Sequence, residues 1–412
     1  MIFLQRIQLY SKLVILLLFI STIILYLYVT NKSPYLKYSI LSPDRIVNKD
    51  FRIHFNQNND SSHKGLFPSA KNLPKTNSNL NKMISHENGN ITRYGNGTEM
   101  VKLAVVLCGD RLNQTLITLK SALIFSKAPL HFIIVLDEDN RQLLKEKILK
   151  WPEKILKRIS FEIHPISFPL GEEGNEWKKL FKLCACQRLF LPSLLRHIDS
   201  LLYVDTDVVF IHPVEDLWLH FSKMNNSQIA ALSPEHEDFA TGWYNRFARH
   251  PFYEPLGVNS GVMLMNLTRM RAFQWEKYLT PILKEYKLNI VWGDQDIINI
   301  IFHFHPDKLY IFPCAWNFRP DHCMYSSVCS SAKKDGIAII HGNRGVFYNN
   351  KQPVFKFIYK EMQQYDLEKD VPSMFILQIQ KLLKESENTN CGKHLSAIFS
   401  SISLNKTNVY SR

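Results

Sequence analysis

The sequence predicts an α/β protein with a mixed, mainly parallel sheet flanked by helices. Two observations carry this. From Val101 onward, short apolar runs alternate with helical patterns of about 10 to 20 residues, the spacing of βαβ units. And an acid pair, Asp205-Thr206-Asp207, interrupts the apolar stretch Leu201–Phe210. Ionised carboxylates in such a strand are costly unless a cation or hydrogen bonds compensate them. A hard divalent ion that shares its shell with phosphate oxygens is the natural compensator, so the segment reads as a metal–diphosphate site at a strand end.

Taken in order, Leu103–Leu107 predicts the first strand, followed by Cys108-Gly109-Asp110 and a helix over Leu112–Phe125. His131–Leu136 predicts a second strand, followed by a charged helix through Lys150. Phe161–Ile166 predicts a third strand, Trp177–Leu195 a long helix, and Leu201–Phe210 the acid-bearing strand. Strands over Gln228–Leu232 and Val258–Asn266 come next, then helices over Met270–Tyr286 and Asp294–Phe304. Leu309–Phe312 and Ile337–Ile340 complete the strands. The remainder, from 366 to 412, reads as one Leu/Ile/Lys helix and a polar tail.

The 412 residues provide a large core, with 46% hydrophobic content. The formal charge of +13 comes from scattered Lys and Arg without a nucleic-acid-binding module, so no nucleic-acid partner is expected. Leu13–Val29 is nearly uninterrupted apolar sequence, and Arg6 and Lys12 precede it. It predicts a signal-anchor helix after a short cytoplasmic tail, residues 1–12. Residues 30–99 have the Asn/Ser/Lys/Pro composition of a flexible stem. Glycosylation sequons at Asn31, Asn59, Asn90, Asn96, Asn113, Asn225, Asn266 and Asn405 all follow the anchor, which suits a luminal location. The seven cysteines lack zinc-ribbon spacing and read as disulfides or buried thiols, with at least one left over. The catalytic domain is placed at 100–365, in a single-pass type II protein of the endoplasmic reticulum or Golgi membrane.

Ligands of open α/β sheets lie beyond the carboxyl ends of the strands. Five segments can converge there. Cys108 and Asp110 follow the first strand, and Asp110 can accept from a base or ribose. Arg188 precedes the Asp205 strand and can meet a diphosphate or sugar hydroxyl. Asn259 and Ser260 open an apolar strand. Asp294 and Gln295 stand at a helix N-terminus, where Asp294 also suits a cap. His341 ends a strand as a third metal ligand beside Asp205 and Asp207, and imidazole favours Mn²⁺ over Mg²⁺. Gly342 and Arg344 follow in a loop suited to phosphate.

Eight stretches carry a resemblance. They are "LKSALIFS" (119–126), "EWKKLFKLCACQRLFLP" (176–192), "LLYVDTDVVF" (201–210), "GWYNRFARHPFY" (242–253), "GVNSGVMLMN" (257–266), "WGDQDIIN" (292–299), "WNFRPDHC" (316–323) and "HGNRGVFYNNKQP" (341–353). Together they resemble the retaining glycosyltransferases of family 8, most closely the glucoside xylosyltransferases. The resemblance implies the GT-A nucleotide-diphospho-sugar transferase fold, UDP-xylose as donor and Mn²⁺ as cofactor. The implied acceptors are proteins whose epidermal-growth-factor-like (EGF-like) repeats carry O-linked glucose, and the implied product is an α1,3-linked xylose. It implies Asp205, Asp207 and His341 as metal ligands and Asp294 and Gln295 beside the reacting sugar. Asn259 is implied near the donor sugar, and Arg188 near the diphosphate or sugar hydroxyls.

One departure stands out. Many members carry His-x-x-Gly-x-x-Lys-Pro, whereas here glycine and arginine follow His341 more tightly and Lys351 comes ten residues later. Arg344 and Lys351 both remain candidates for the leaving diphosphate. Trp243, Trp292 and Trp316 are candidates to fill the space of a hexose C6 group. A front-face displacement is the favoured route to retention, with Asp294 as nucleophile the alternative. Within the family the alternative is a transferase using UDP-glucose or UDP-galactose, or adding a second xylose; rival classes are a nucleotidyltransferase, for which the glycine-rich loop is missing, and a non-catalytic luminal sugar-nucleotide-binding protein.

Overall fold

The computed structural model describes residues 100–169, 186–368 and 372–405, together with 174, 176, 177 and 184. The expected tail, anchor and stem, residues 1–99, lie outside the described residues, as do most of 170–185. Among the described residues no helix is long and apolar enough to cross a membrane.

The strands are β1 (Val101–Leu107), β2 (Leu130–Leu136), β3 (Ile159–Pro165), β4 (Ser200–Val204), β5 (Val208–Phe210), β6 (Ala230–Pro234), β7 (Val258–Asn266), β8 (Leu309–Ile311) and β9 (Ile339–His341). Seven form one sheet in the order β3-β2-β1-β4-β7-β6-β8, and β5 pairs with β9 in a second. In the large sheet β7 alone runs against the others. The mainly parallel α/β sheet expected from the sequence is therefore the one observed. Its central strands are apolar on both faces. Leu103, Val105 and Leu107 enter one core, and Ala104 and Val106 the other. This two-sided burial is why the runs read as continuous rather than alternating.

The helices that matter here are α1 (Leu112–Phe125), α2 (Glu138–Leu149), α3 (Leu267–Ala272), α4 (Glu276–Tyr286), α5 (Asp294–Phe304), α6 (Pro353–Gln364), α7 (Pro372–Glu385) and α8 (Asn390–Asn405). Leu119, Ala122 and Leu123 of α1 cover one face of the sheet, and Ile297, Ile300 and Ile301 of α5 the other.

Four expectations are corrected. Leu201–Phe210 is not one strand. It divides at Asp205-Thr206-Asp207, and its two halves join different sheets. The single helix over Met270–Tyr286 is two, broken where Gln274 adopts φ +62°. The described end of the Trp177–Leu195 helix is a 3-10 turn, Gln187–Phe190, and a short helix, Leu191–Leu194. Pro192 cannot donate to a preceding carbonyl there, which prevents a continuous helix. Finally, the expected polar tail contains α8. Phe375, Ile379 and Leu383 of α7 and Leu395 and Phe399 of α8 share a core with Phe318 and Phe355.

Three disulfides form: Cys108–Cys184, Cys314–Cys329 and Cys323–Cys391. Cys186 is free and buried. Cys323–Cys391 ties α8 to the segment before β9, and its separation of 68 residues gives it a large loop-closure effect on the unfolded chain.

Candidate active site

The fork between the two sheets builds the site. Asp205 N–H still donates to Gly261 O of β7, at 2.9 Å. Three residues later Val208 faces His341 across the β5–β9 pair. Thr118 of α1 fixes the turn between them, its hydroxyl lying 2.9 Å from both Thr206 O and Val208 O. The carboxylates therefore sit where the strand leaves one sheet for the other, and the imidazole is delivered by the partner strand. His341 Nε2 lies 3.5 Å from Asp207 Oδ1 and 3.9 Å from Asp205 Oδ2.

The donors suit a divalent cation. One ligand atom from each of Asp205, Asp207 and His341 falls within 4.8 Å of the others. The tautomer is set by the far side of the ring. Asn317 Nδ2 donates to Asn259 Oδ1 at 2.9 Å, so Asn317 presents its oxygen to His341 Nδ1 at 2.8 Å. Nδ1 therefore carries the proton, and Nε2 turns a lone pair toward the acids. Burial works against ionisation of Asp207; a proton on His341 Nε2 would hold the carboxyl below its ordinary range, and a bound cation takes that proton's place. Gly261 leaves the space the ring occupies: a Cβ there would lie 2.2 Å from His341 Cε1.

Behind the acid pair lies a buried charge relay. Arg188 Nη2 donates to Asp205 Oδ1 at 2.9 Å, and its Nε forms an ion pair with Asp294 Oδ2. Its Nη1 donates to Ser260 O, and its guanidinium stacks 4.5 Å from the centre of the Tyr203 ring. Burial opposes the Arg188 charge, but Asp205 and Asp294 more than restore it. Asp294 itself is only 4% exposed, and burial pushes its carboxyl up to about 6 despite Arg188.

The neighbouring acid does different work. Asp296 accepts from the N–H groups of Val291 and Trp292, both at 2.7 Å, and from Tyr244 Oη at 2.8 Å. Asp296 thus secures the loop before α5, while Gly293 at φ +66° turns the chain into the helix. Asp294 is consequently released from capping and faces Arg188. Gln295 accepts from Ser260 N–H at 3.1 Å and donates to Tyr244 Oη at 3.2 Å.

Other expected donor-site residues are placed differently. Cys108 spends its sulfur in the disulfide with Cys184, leaving only its backbone for a ligand. Asn259 is buried, and its side-chain oxygen accepts from Gly261 N–H and Asn317, so it helps to orient His341. Ser260 is also buried, beside Gln295. Gly342 donates to Asp207 O at 2.7 Å, and a Cβ there would strike the Phe347 ring. Arg344 forms an ion pair with Asp321. Lys351 is exposed, and its N–H donates to Asn349 Oδ1 at 2.9 Å. Trp243 and Trp292 meet edge to face at 5.5 Å, whereas Trp316 packs on His212 and His220 away from them. Asp110 is fully open. With Gln114, Tyr348, Lys356 and Lys360 it lines a cleft of ≈ 330 Å³ beyond the end of β1.

Sequence reasoning missed Asn317, Tyr203, Tyr244, Lys356 and Lys360. A polar Asn inside the "WNFRPDHC" run was a visible signal; the others needed the fold.

The family model for glycosyl transferase family 8 matches residues 102–345. The chain belongs to that family. Among curated relatives, glucoside xylosyltransferase 1 of Rattus norvegicus is 50% identical over 315 residues, covering 73% of this chain and 72% of its own. Glucoside xylosyltransferase 2 of Xenopus laevis is 49% identical, covering 72% of each chain. These identities place this family 8 member among the glucoside xylosyltransferases, with the GT-A fold that membership implies. Solved structures are more remote. Mouse xyloside xylosyltransferase 1 aligns at 18% identity with a TM-score of 0.43, over 60% of this chain and 98% of its own. The galactosyltransferase LgtC aligns at 18% identity with a TM-score of 0.48, over 64% and 95%.

Proposed function

We propose that the chain is a retaining α1,3-xylosyltransferase that moves xylose from UDP-xylose onto glucose O-linked to serine of EGF-like repeats. The observation that carries this reading is the Asp205–Asp207–His341 cluster beside buried Asp294, in a chain about half identical to glucoside xylosyltransferases. Asp205, Asp207 and His341 would hold Mn²⁺. When bound, such an ion supplies positive charge where the leaving diphosphate becomes negative. The open cleft with Asp110, Lys356 and Lys360 offers both hydrogen-bond acceptors and cations to a nucleotide.

The chain's own residues set the rest. Arg188 holds Asp205 on one side and Asp294 on the other, so the metal end and the sugar end move as one unit. In the front-face route the C1–O bond to UDP breaks, and the acceptor oxygen bonds C1 on the same face. Its proton passes to the departing phosphate oxygen. Asp294, already paired with Arg188, positions the sugar and accepts from its hydroxyls rather than attacking C1. Arg344 is engaged by Asp321, which leaves Lys351 the freer of the two cations to approach the diphosphate.

Luminal residence in the endoplasmic reticulum or Golgi, behind a type II anchor at residues 13–29, belongs to the same reading. The three disulfides suit that oxidising compartment.

The test is a donor screen on the purified chain with an O-glucosylated EGF-like repeat, in Mn²⁺ or in chelator. Expected is Mn²⁺-dependent transfer from UDP-xylose with retained configuration. Preferential use of UDP-glucose or UDP-galactose, or undiminished transfer in chelator, overturns the assignment.

A further inference from the structure

We propose a second metal site, for a zinc-class ion, formed by Glu162, His164 and His197 with His131 as fourth donor. It lies on β3, the outermost strand of the large sheet, separated from β4 by β2 and β1. At the usual strand spacing that is about 14 Å from the acid-bearing strand.

Sheet register assembles it. Ser160, Glu162 and His164 alternate onto one face of β3, and His131 of β2 stands opposite Ser160 on that same face. His197 comes from the turn before β4. Glu162 is the hub: Oε2 is 3.0 Å from His197 Nε2, and Oε1 is 3.4 Å from His164 Nε2 and 3.8 Å from His131 Nε2. One ligand atom from each of Glu162, His164 and His197 lies within 4.8 Å of the others.

Two further observations point to an ion rather than a hydrogen-bonded cluster. His164 Nε2 is buried and has no hydrogen-bond partner, although it faces a carboxylate. And the outer nitrogen of His131 is already engaged: Nδ1 lies 2.7 Å from Ser160 Oγ. With Nδ1 donating to Ser160 Oγ, Nε2 is left to present a lone pair toward Glu162. This is the orientation a metal-ligating histidine needs. Three imidazoles and one carboxylate suit Zn²⁺, with Co²⁺ as a spectroscopic substitute, better than Mg²⁺ or Ca²⁺. His197 has the most exposed side chain of the four, at 55%, and leaves an entry path. Bound there, the ion would clamp the sheet edge to the turn that leads into β4.

The experiment uses the full chain, stripped of metal, with zinc chloride alone as probe. Asp207→Ala first disables the Asp205–Asp207–His341 cluster. This parent should still bind one zinc tightly in competition with a chromophoric chelator, and Co²⁺ should give the intense visible bands of a tetrahedral site. Adding His197→Ala, an exposed position that leaves the core intact, should weaken zinc by at least about tenfold. His164→Gln should do the same. Zinc should also raise the melting temperature of the parent and not of the double variants. No zinc bound by the parent, or zinc affinity unchanged by both substitutions, overturns the proposal.

Discussion

At the fork between β4 and β5 two carboxylates face one imidazole; on the outer edge of the sheet three imidazoles face one carboxylate. The first cluster sits where the chain changes sheets, so its ligands come from a turn and from the strand that receives it. In the second, pleat and register bring together His131, Glu162 and His164 on regular strands, and His197 joins from the turn before β4. Their surroundings differ as well. The fork is backed by a buried guanidinium that spans Asp205 and Asp294, while the edge cluster has a single acid to balance its imidazoles. Oxygen-rich donors with buried counter-charge suit an ion that must also accept phosphate oxygens. Nitrogen-rich donors on a rigid sheet suit an ion that stays put.

The largest effect is expected at Arg188, the residue that distinguishes the fork. Arg188→Met strips the partner from two acids at once, and Asp294 is buried with no other cation in contact among the described residues. Breaking a buried pair in this way costs about 3–5 kcal/mol. Chemical denaturation should show that loss, together with loss of transfer. A stability change below about 1 kcal/mol would mean the relay is solvated and the contrast between the two clusters is wrong.

Next comes the division of labour. Asp207→Ala should lower the transfer rate by about 10²–10³-fold, the scale of one lost electrostatic contact to the developing charge. His197→Ala should leave that rate unchanged, because no residue of the edge cluster contacts the fork. Steady-state kinetics at saturating Mn²⁺ decides this. Equal losses in both variants would collapse the two clusters into one functional unit.

Much of this was legible before the fold was known. The D-x-D motif and the strand–helix alternation are local patterns, and they located the fork and the parallel sheet. β7 and α5 were placed to the residue, because Gly257 and Gly293 bound them sharply. What failed was whatever depended on partners distant in sequence. The division of Leu201–Phe210 is invisible in its apolar composition, since both halves are equally buried. The Cys108–Cys184 disulfide, whose partners lie 76 residues apart, was equally out of reach. The bond by which Asn259 Oδ1 sets Asn317 and, through it, His341 was likewise out of reach. The edge cluster needed the β2–β3 register to be seen at all.

A finer test separates ligand identity from ligand orientation. Gly261→Ala replaces no ligand residue, but its Cβ would displace the His341 ring. It should weaken Mn²⁺ about tenfold, the cost of disturbing a ligand's support, and leave zinc at the edge cluster unaffected. Transfer measured against Mn²⁺ concentration should show a raised half-saturation with a nearly normal plateau. A depressed plateau at all Mn²⁺ concentrations would place the damage in the sugar site instead.

The smallest effect is a pH inflection. Burial raises Asp294 from its ordinary range to about 6. A carboxyl raised in the fold adds stability that is fully present below its unfolded value, about 4, and withdraws it as pH climbs through about 6. Activity runs the other way. If Asp294 must be ionised to pair with Arg188 and accept from the sugar, transfer should rise as pH climbs through about 6. In Asp294→Asn both dependences should vanish: the rate should be low and flat across that range, and the melting temperature should no longer fall between pH 5 and 7. Residual turnover without a trapped glycosyl-enzyme would fit the positioning role. A covalent sugar on Asp294, captured from wild-type protein with a slow donor, would make it the nucleophile. The buried ion pair with Arg188 would then have to open during each turnover, at an energetic cost the edge cluster never meets.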